Sequence, residues 1–167
     1  MPLNQVGYVQ AEEAAERLRG LVPAYAELDY VASPLSRARD TMERLRAALG
    51  LAPHAYRLDE RLQELSFGSW EGLTWREIRA REANMTTVRA RDKWTFLPPG
   101  GESYAMLAER VAPALAGLAR DAVIVSHGGV ARVLLNLLGN LPPHRASSAD
   151  IWQGKILVFS PGGYAWV

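Results

Sequence analysis

The sequence contains no cysteine in its 167 residues. Disulfides and thiolate-bound metals are therefore excluded, and a reducing compartment, the cytoplasm, is the expected location. Histidine is scarce: His54, His127 and His144 stand far apart without ligand spacing, so no metal is expected. Charge of one sign is lacking too, because 19 Lys and Arg stand against 18 Asp and Glu for a net charge of +1. Without a global field, neither nucleic acid nor a membrane is an expected partner, and any anion site must be local. No apolar run approaches the roughly 20 residues that span a bilayer. The opening stretch MPLNQVGYVQAEEAAERL has no basic start leading into an apolar core, and it reads as a helix and not as a secretory leader. A Walker loop, a dinucleotide glycine fingerprint and a Gly-x-Ser-x-Gly elbow are all missing, and no cofactor is expected.

What remains is an ordinary globular composition, 49% hydrophobic and 22% charged, read as a single domain over 1–167. A chain of this length buries roughly two-thirds of its unfolded surface. Residues 4–18 read as a helix and LDYVAS (28–33) as a strand. A second helix is expected with Ser33 as its N-cap and Pro34 at its first position, running past Leu45 and Leu49 to a stop at Gly50. HAYRL (54–58) reads as a strand, 59–73 as irregular and aromatic, 74–83 as a helix, and the polar stretch to 97 as loop. PPGGES (98–103) closes on Ser103 as a cap, and Leu107, Val111, Ala114, Leu115 and Leu118 mark a buried stripe. AVIVS (122–126) is a continuous apolar strand of the kind buried on both faces. Val130, Val133, Leu134, Leu137 and Leu138 mark the next helix, and closing strands are expected near 148–152, 155–160 and 163–167. Strands alternating with helices predict an α/β sandwich with a largely parallel sheet.

Four stretches can carry chemistry. In VIVSHGGVAR (123–132), His127 stands between a strand end and a helix N-terminus, where amides and helix dipole favour an anion and Gly128 and Gly129 permit close approach. A tight turn with an idle histidine is the alternative. In SPLSRARDT (33–41), Arg37 falls in the first turn of a helix that also follows a strand, and its planar fork suits phosphate. A surface ion pair is the alternative there, and the better reading of Arg39 and Arg44. In LQELSFGSWEG (62–72), Glu64 sits among Leu62, Leu65, Phe67 and Trp70. A carboxyl in apolar surroundings holds its proton longer and can act as a general acid, whereas a solvated glutamate beside an aromatic patch does nothing; Glu71 competes for the role. PPGGES reads as structural, with Glu102 near a helix dipole. Between the last two stretches, residues 76–93 hold six cations against Glu77, Glu82 and Asp92, an excess that suits an anionic substrate or simply a solvated helix face. Trp70, Trp75 and Trp94 gather near the same place, as core or as a lid.

Taken in order, SPLSRARDT, LQELSFGSWEG, PPGGES with ERV (109–111), and VIVSHGGVAR resemble the histidine phosphatase superfamily, the phosphoglycerate-mutase-like proteins. FGSWEGLTW is similar to small bacterial phosphatases of the alpha-ribazole type. The resemblance runs from Pro2 to about Leu138 and implies a three-layer α/β/α sandwich. It implies a phosphomonoester hydrolase acting through a phosphohistidine, with Arg37 as phosphate clamp, Glu64 as general acid, and His127 holding the phosphoryl oxygens beside the Gly128 amide. The expected partner is a small phosphorylated metabolite or inorganic phosphate, and a homodimer is compatible with it. In the family, the nucleophile lies in an Arg-His-Gly motif ending the first strand, ahead of a helix matched here by PLNQVGYVQAEEAA (2–15). No Arg-His-Gly occurs in the 167 residues. An N-terminally truncated member without first strand or nucleophile is therefore expected, inactive as given. The alternatives are a phosphate-ligand-binding pseudoenzyme or interaction domain, and a mutase, for which no substrate-capturing insertion is evident.

Overall fold

Alternation of side chains along the strands divides the core in two. In the computed structural model, which describes residues 3–167, β1 (Asp29–Ala32) pairs in parallel with β2 (Arg57–Leu58) and with β3 (Ala122–Val125). Met1 and Pro2, where the resemblance begins, lie outside the described residues. Tyr30, Ala32, Val123 and Val125 pack against α1 (Gln5–Leu21) and α2 (Ser36–Ala48) through Ala15, Leu18, Met42 and Leu45. Val31 and Ile124 face the other way, onto α5 (Tyr104–Ala116) and α6 (Gly128–Leu137), through Leu107, Val111, Val130 and Val133. The result is the three-layer α/β/α sandwich with a parallel central sheet. No helix of the described residues is long and apolar enough to cross a membrane.

Two local signals act as the sequence predicts. Ser103 caps α5 by accepting from Met106 N, and Gly50 takes the left-handed conformation (φ 75°) just past α2. Asn4, read as the first residue of a helix, is instead the N-cap of α1 and accepts from Gly7 N. Other expectations need correction. Ser33 is not the cap of α2: Pro34 and Leu35 remain extended, the N-cap is Leu35, and the Ser33 hydroxyl is engaged elsewhere. Only Arg57–Leu58 of HAYRL forms a strand, paired to β1 over two residues. The helix expected at 74–83 is α3 (Trp75–Arg81), stopped at Glu82, and α4 (Ala83–Arg91) follows in the stretch read as loop. Its apolar residues are too few to give a clear stripe, which is why periodicity missed it.

AVIVS is not buried on both faces. All four residues of β3 are only partly buried, since among the described residues β3 pairs with β1 alone. Residues 148–152 form no strand; they follow α7 (Pro143–Ala146) and lead into a separate antiparallel hairpin, β4 (Leu157–Ser160) and β5 (Gly163–Trp166). Leu138, expected in a buried stripe, is the C-cap of α6 and exposed.

Candidate functional site

Parallel pairing in register, Ala32 beside Val125, brings the residues after both strands to one edge of the sheet. Ser33 N donates to Val125 O (3.0 Å), and one step on, the Ser33 hydroxyl lies 2.7 Å from His127 Nε2. Ser33 Oγ also accepts from Leu35 N (3.4 Å), so a hydroxyl hydrogen directed at a neutral His127 Nε2 satisfies both groups. His127 is the N-cap of α6, in extended conformation, and its side chain makes no capping bond. It is only 9% exposed. Burial, and secondarily the Arg37 cation, pushes its pKa down from 6.5 to about 4. The imidazole is therefore neutral at pH 7, and the helix N-terminus beside it carries no full positive charge from its own cap.

Arg37 stands in the first turn of α2, half-buried, and among the described residues its guanidinium makes no ion pair. Glu64 reaches the same edge from a chain segment 65 residues away. Its Oε1 accepts from Gly129 N (2.9 Å) and from Leu65 N (2.9 Å). The carboxyl is thus tied to the first turn of α6 and not isolated in an apolar pocket as expected. Glu71 is engaged elsewhere: its Oε1 accepts from Ser66 Oγ (2.8 Å) and Phe67 N (3.2 Å), holding the turn. The sequence-predicted set Arg37, Glu64, His127 and Gly128 is therefore gathered at one edge, while His54 pairs with Glu43 at the surface and His144 lies in α7.

The two glycines after His127 have different jobs. A Cβ on Gly129 would overlap Glu64 Oε1 and crowd the Leu65 Cβ, whereas one on Gly128 would meet only an Arg132 guanidinium nitrogen at ordinary contact distance. Gly129→Ala is therefore expected to destabilise the chain by about 1–3 kcal/mol and to displace Glu64. Gly128→Ala is expected to stay within about 0.5 kcal/mol of the native chain. Urea unfolding of the two variants checks the contrast, and equal costs would refute it.

Sequence reasoning missed the scaffold behind Glu64. Ser126 Oγ donates to Leu62 O (2.7 Å). Arg110 forks onto Glu102 (Nε–Oε1 2.8 Å, Nη2–Oε2 2.7 Å) and donates through Nη1 to Arg61 O (2.7 Å) and Gln63 O (3.3 Å). Glu102, directly before the Ser103 cap of α5, is held by this fork. PPGG meets the Glu64 segment backbone to backbone: Ser69 N donates to Pro99 O and Glu102 N to Ser66 O, both at 2.9 Å. A Cβ at either Gly68 or Gly101 would collide with the other segment of this contact. The tryptophans divide: Trp70 is core, stacked on Phe96 at 5.3 Å; Trp94 packs on Tyr104 at 6.1 Å; Trp75 is exposed.

Fold and site together define an α/β protein whose ionisable groups gather at the carboxyl edge of a parallel sheet, where such folds place ligands. The chain belongs to the histidine phosphatase superfamily (branch 1), whose pattern it matches over residues 1–167. It is 36% identical over 153 residues to glucosyl-3-phosphoglycerate phosphatase of Mycobacterium tuberculosis (strain ATCC 25618 / H37Rv), covering 84% of this chain and 65% of that protein. The chain thus spans just under two-thirds of that relative's length. The structure of a mycobacterial glucosyl-3-phosphoglycerate phosphatase in complex with inorganic phosphate superposes with a TM-score of 0.71 at 32% identity, over 89% of this chain and 74% of that one. The alpha-ribazole phosphatase of Shigella flexneri shares the fold, with a TM-score of 0.75 at 22% identity over 98% of this chain and 81% of that one.

Proposed function

We propose that these residues form the phosphate-holding and proton-donating part of a phosphomonoester hydrolase that works through a phosphohistidine. The observation that supports this best is the meeting of Arg37, His127 and the Glu64–Gly129 contact at one strand edge. Arg37 clamps the phosphate oxygens with its fork. His127 and the Gly128 amide hold the phosphoryl oxygens as charge spreads over them. A histidine nitrogen, from an Arg-His-Gly segment that these 167 residues do not contain, attacks phosphorus while the bond to the ester oxygen breaks. Glu64 gives its proton to that leaving oxygen. In the second half, water attacks the phosphohistidine, Glu64 takes the water's proton, and inorganic phosphate and free histidine are released.

The missing nucleophile favours a second statement about the 167 residues taken alone: they bind phosphate and do not turn over. Titrating inorganic phosphate into the chain while following the His127 ring and the Gly128 and Gly129 amides by NMR tests both. Saturable shifts at these groups, with no hydrolysis of p-nitrophenyl phosphate, are expected. Absent shifts would overturn the phosphate site, and turnover at a full phosphatase's rate would overturn the second statement.

A further inference from the structure

Burying a charged side chain is unfavourable unless an opposite charge or a full set of acceptors meets it. Arg46, in the last turn of α2, is only 7% exposed, and among the described residues it makes no ion pair. Its guanidinium carbon lies 4.4 Å from the Tyr30 ring centroid, and its Nε donates to Ala52 O (2.9 Å). The carbonyl end of α2 also favours a cation here. These contacts engage one face and one nitrogen. Nη1 and Nη2 have no acceptor among the described residues. The buried side-chain atom sealed from solvent without a partner is Trp70 Nε1, and no atom of Arg46 shares that condition. The two amino groups therefore keep an opening to solvent.

That opening is a cavity of about 410 Å³ at the amino end of the parallel sheet, where Asp29 begins β1 and Arg57 begins β2. Ser33 and the phosphate crevice stand at the other end of β1, roughly 13 Å away at the usual rise per strand residue. The other charges that line the cavity are already engaged. Asp29 Oδ2 lies 3.3 Å from Arg57 Nη2, and Arg57 Nη1 lies 3.6 Å from Asp59 Oδ2. His54 Nδ1 is 3.4 Å from Glu43 Oε1, and the Tyr56 hydroxyl donates to the same oxygen (3.0 Å). Arg46 is left as the cavity's uncompensated charge. Its two free amino groups form a planar fork, and a carboxylate matches that fork with two parallel hydrogen bonds. Asp29, His54, Tyr56 and Arg57 around it suit an acid that carries hydroxyls better than one with an apolar tail.

We infer that this cavity is a second binding site, which receives the carboxylate of a small hydroxylated acid on the fork of Arg46. It lies at the opposite end of the sheet from Arg37, Glu64 and His127, and it does not depend on how those residues are read. It gives the buried cation of α2 the counter-charge that the chain does not supply.

NMR titration of the native chain with lactate and with lactamide tests this, at a salt concentration of about 0.15 M that screens diffuse attraction. The two probes share a skeleton and a hydroxyl and differ in charge. Saturable shifts are expected at the Arg46 Nε–H and at the Ala55 and Tyr56 amides, all with one midpoint. Lactate is expected to bind about tenfold or more tightly than lactamide. Arg46→Lys keeps the cation and removes the fork, so the preference is expected to fall to about threefold or less. Should that variant fail a thermal-unfolding control, the native chain decides by itself, through the common midpoint at Arg46 and Tyr56 and the preference for lactate. No saturation, equal affinity for the two probes, or a full preference kept by a folded Arg46→Lys would overturn the site. Shifts at the Gly128 and Gly129 amides with none at Arg46 would place lactate in the phosphate crevice and overturn it as well. None of these readouts uses inorganic phosphate, so the outcome is separate from that of the phosphate site.

Discussion

Arg37→Ala is expected to weaken binding of inorganic phosphate between about tenfold and about a hundredfold, the range for losing charge-assisted, forked hydrogen bonds. The reason is local. The net charge is only +1, so no diffuse field replaces a lost guanidinium. The neighbouring His127 is neutral at pH 7 and contributes no cation of its own. The same variant carries a second readout. The Arg37 charge is one of the two causes that lower the His127 pKa, so its removal lets that pKa rise, while burial still keeps it below 6.5. Phosphate titration and an NMR pH titration of the imidazole measure the two effects on one sample. Unchanged affinity would remove Arg37 from the site. An unchanged His127 pKa would show that the two side chains do not share a crevice.

Stability is expected to fall by on the order of 3 kcal/mol as the pH drops from 6.5 to about 4, through His127 alone. The folded-state pKa is depressed, so between those values the unfolded chain binds a proton at this position and the native chain does not. The contribution is therefore fully present above pH 6.5, shrinks through the interval, and is gone once the native imidazole also protonates near pH 4. Asp59, Glu77 and Asp92 also titrate low, but their lowered carboxylates start to lose their contribution only around their ordinary values of 3.8 to 4.5 and below, and they do so equally in both chains. Urea unfolding at pH 7 and pH 4.5 of the native chain and of His127→Asn isolates the effect. The native chain should lose the larger share, and equal losses would exclude a buried neutral imidazole. Bound phosphate opposes the Arg37 charge and should move the His127 pKa upward, so the acid sensitivity should lessen in its presence.

The helices α1, α2, α5 and α6 and the strands β1 and β3 were legible because their signals are local. Ser103 and Gly50 act on amides and carbonyls within one turn of themselves, and the stripe Leu107–Val111–Ala114 follows from 3.6 residues per turn. The order of four short motifs was legible as well, and it pointed to the right superfamily. What failed has a physical cause in each case. Ser33 looked like a cap because serine before proline is one, but its hydroxyl meets His127, 94 residues away, in preference to the helix N-terminus. A polar stretch with few apolar positions concealed α4, whose hydrophobic stripe is weak. AVIVS looked doubly buried because its composition cannot show which neighbours a strand has.

By itself the sequence determined the class of fold, the candidate side chains for a phosphate site, and the absence of cysteine from these 167 residues. Composition, spacing and capping depend only on residues within a few positions of one another. Tertiary structure alone decided which of those side chains meet. The in-register parallel pairing of β1 with β3 sets Ser33, Arg37 and His127 at one edge. The Arg110–Glu102 fork and the glycine contact of Gly68 with Gly101 carry the Glu64 segment to Gly129. The same packing separates Glu64, which reaches that edge, from Glu71, which closes its own turn, although both stand in one motif. Contacts between residues 65 or 94 positions apart depend on register and layer packing, and these exist only once the chain has folded.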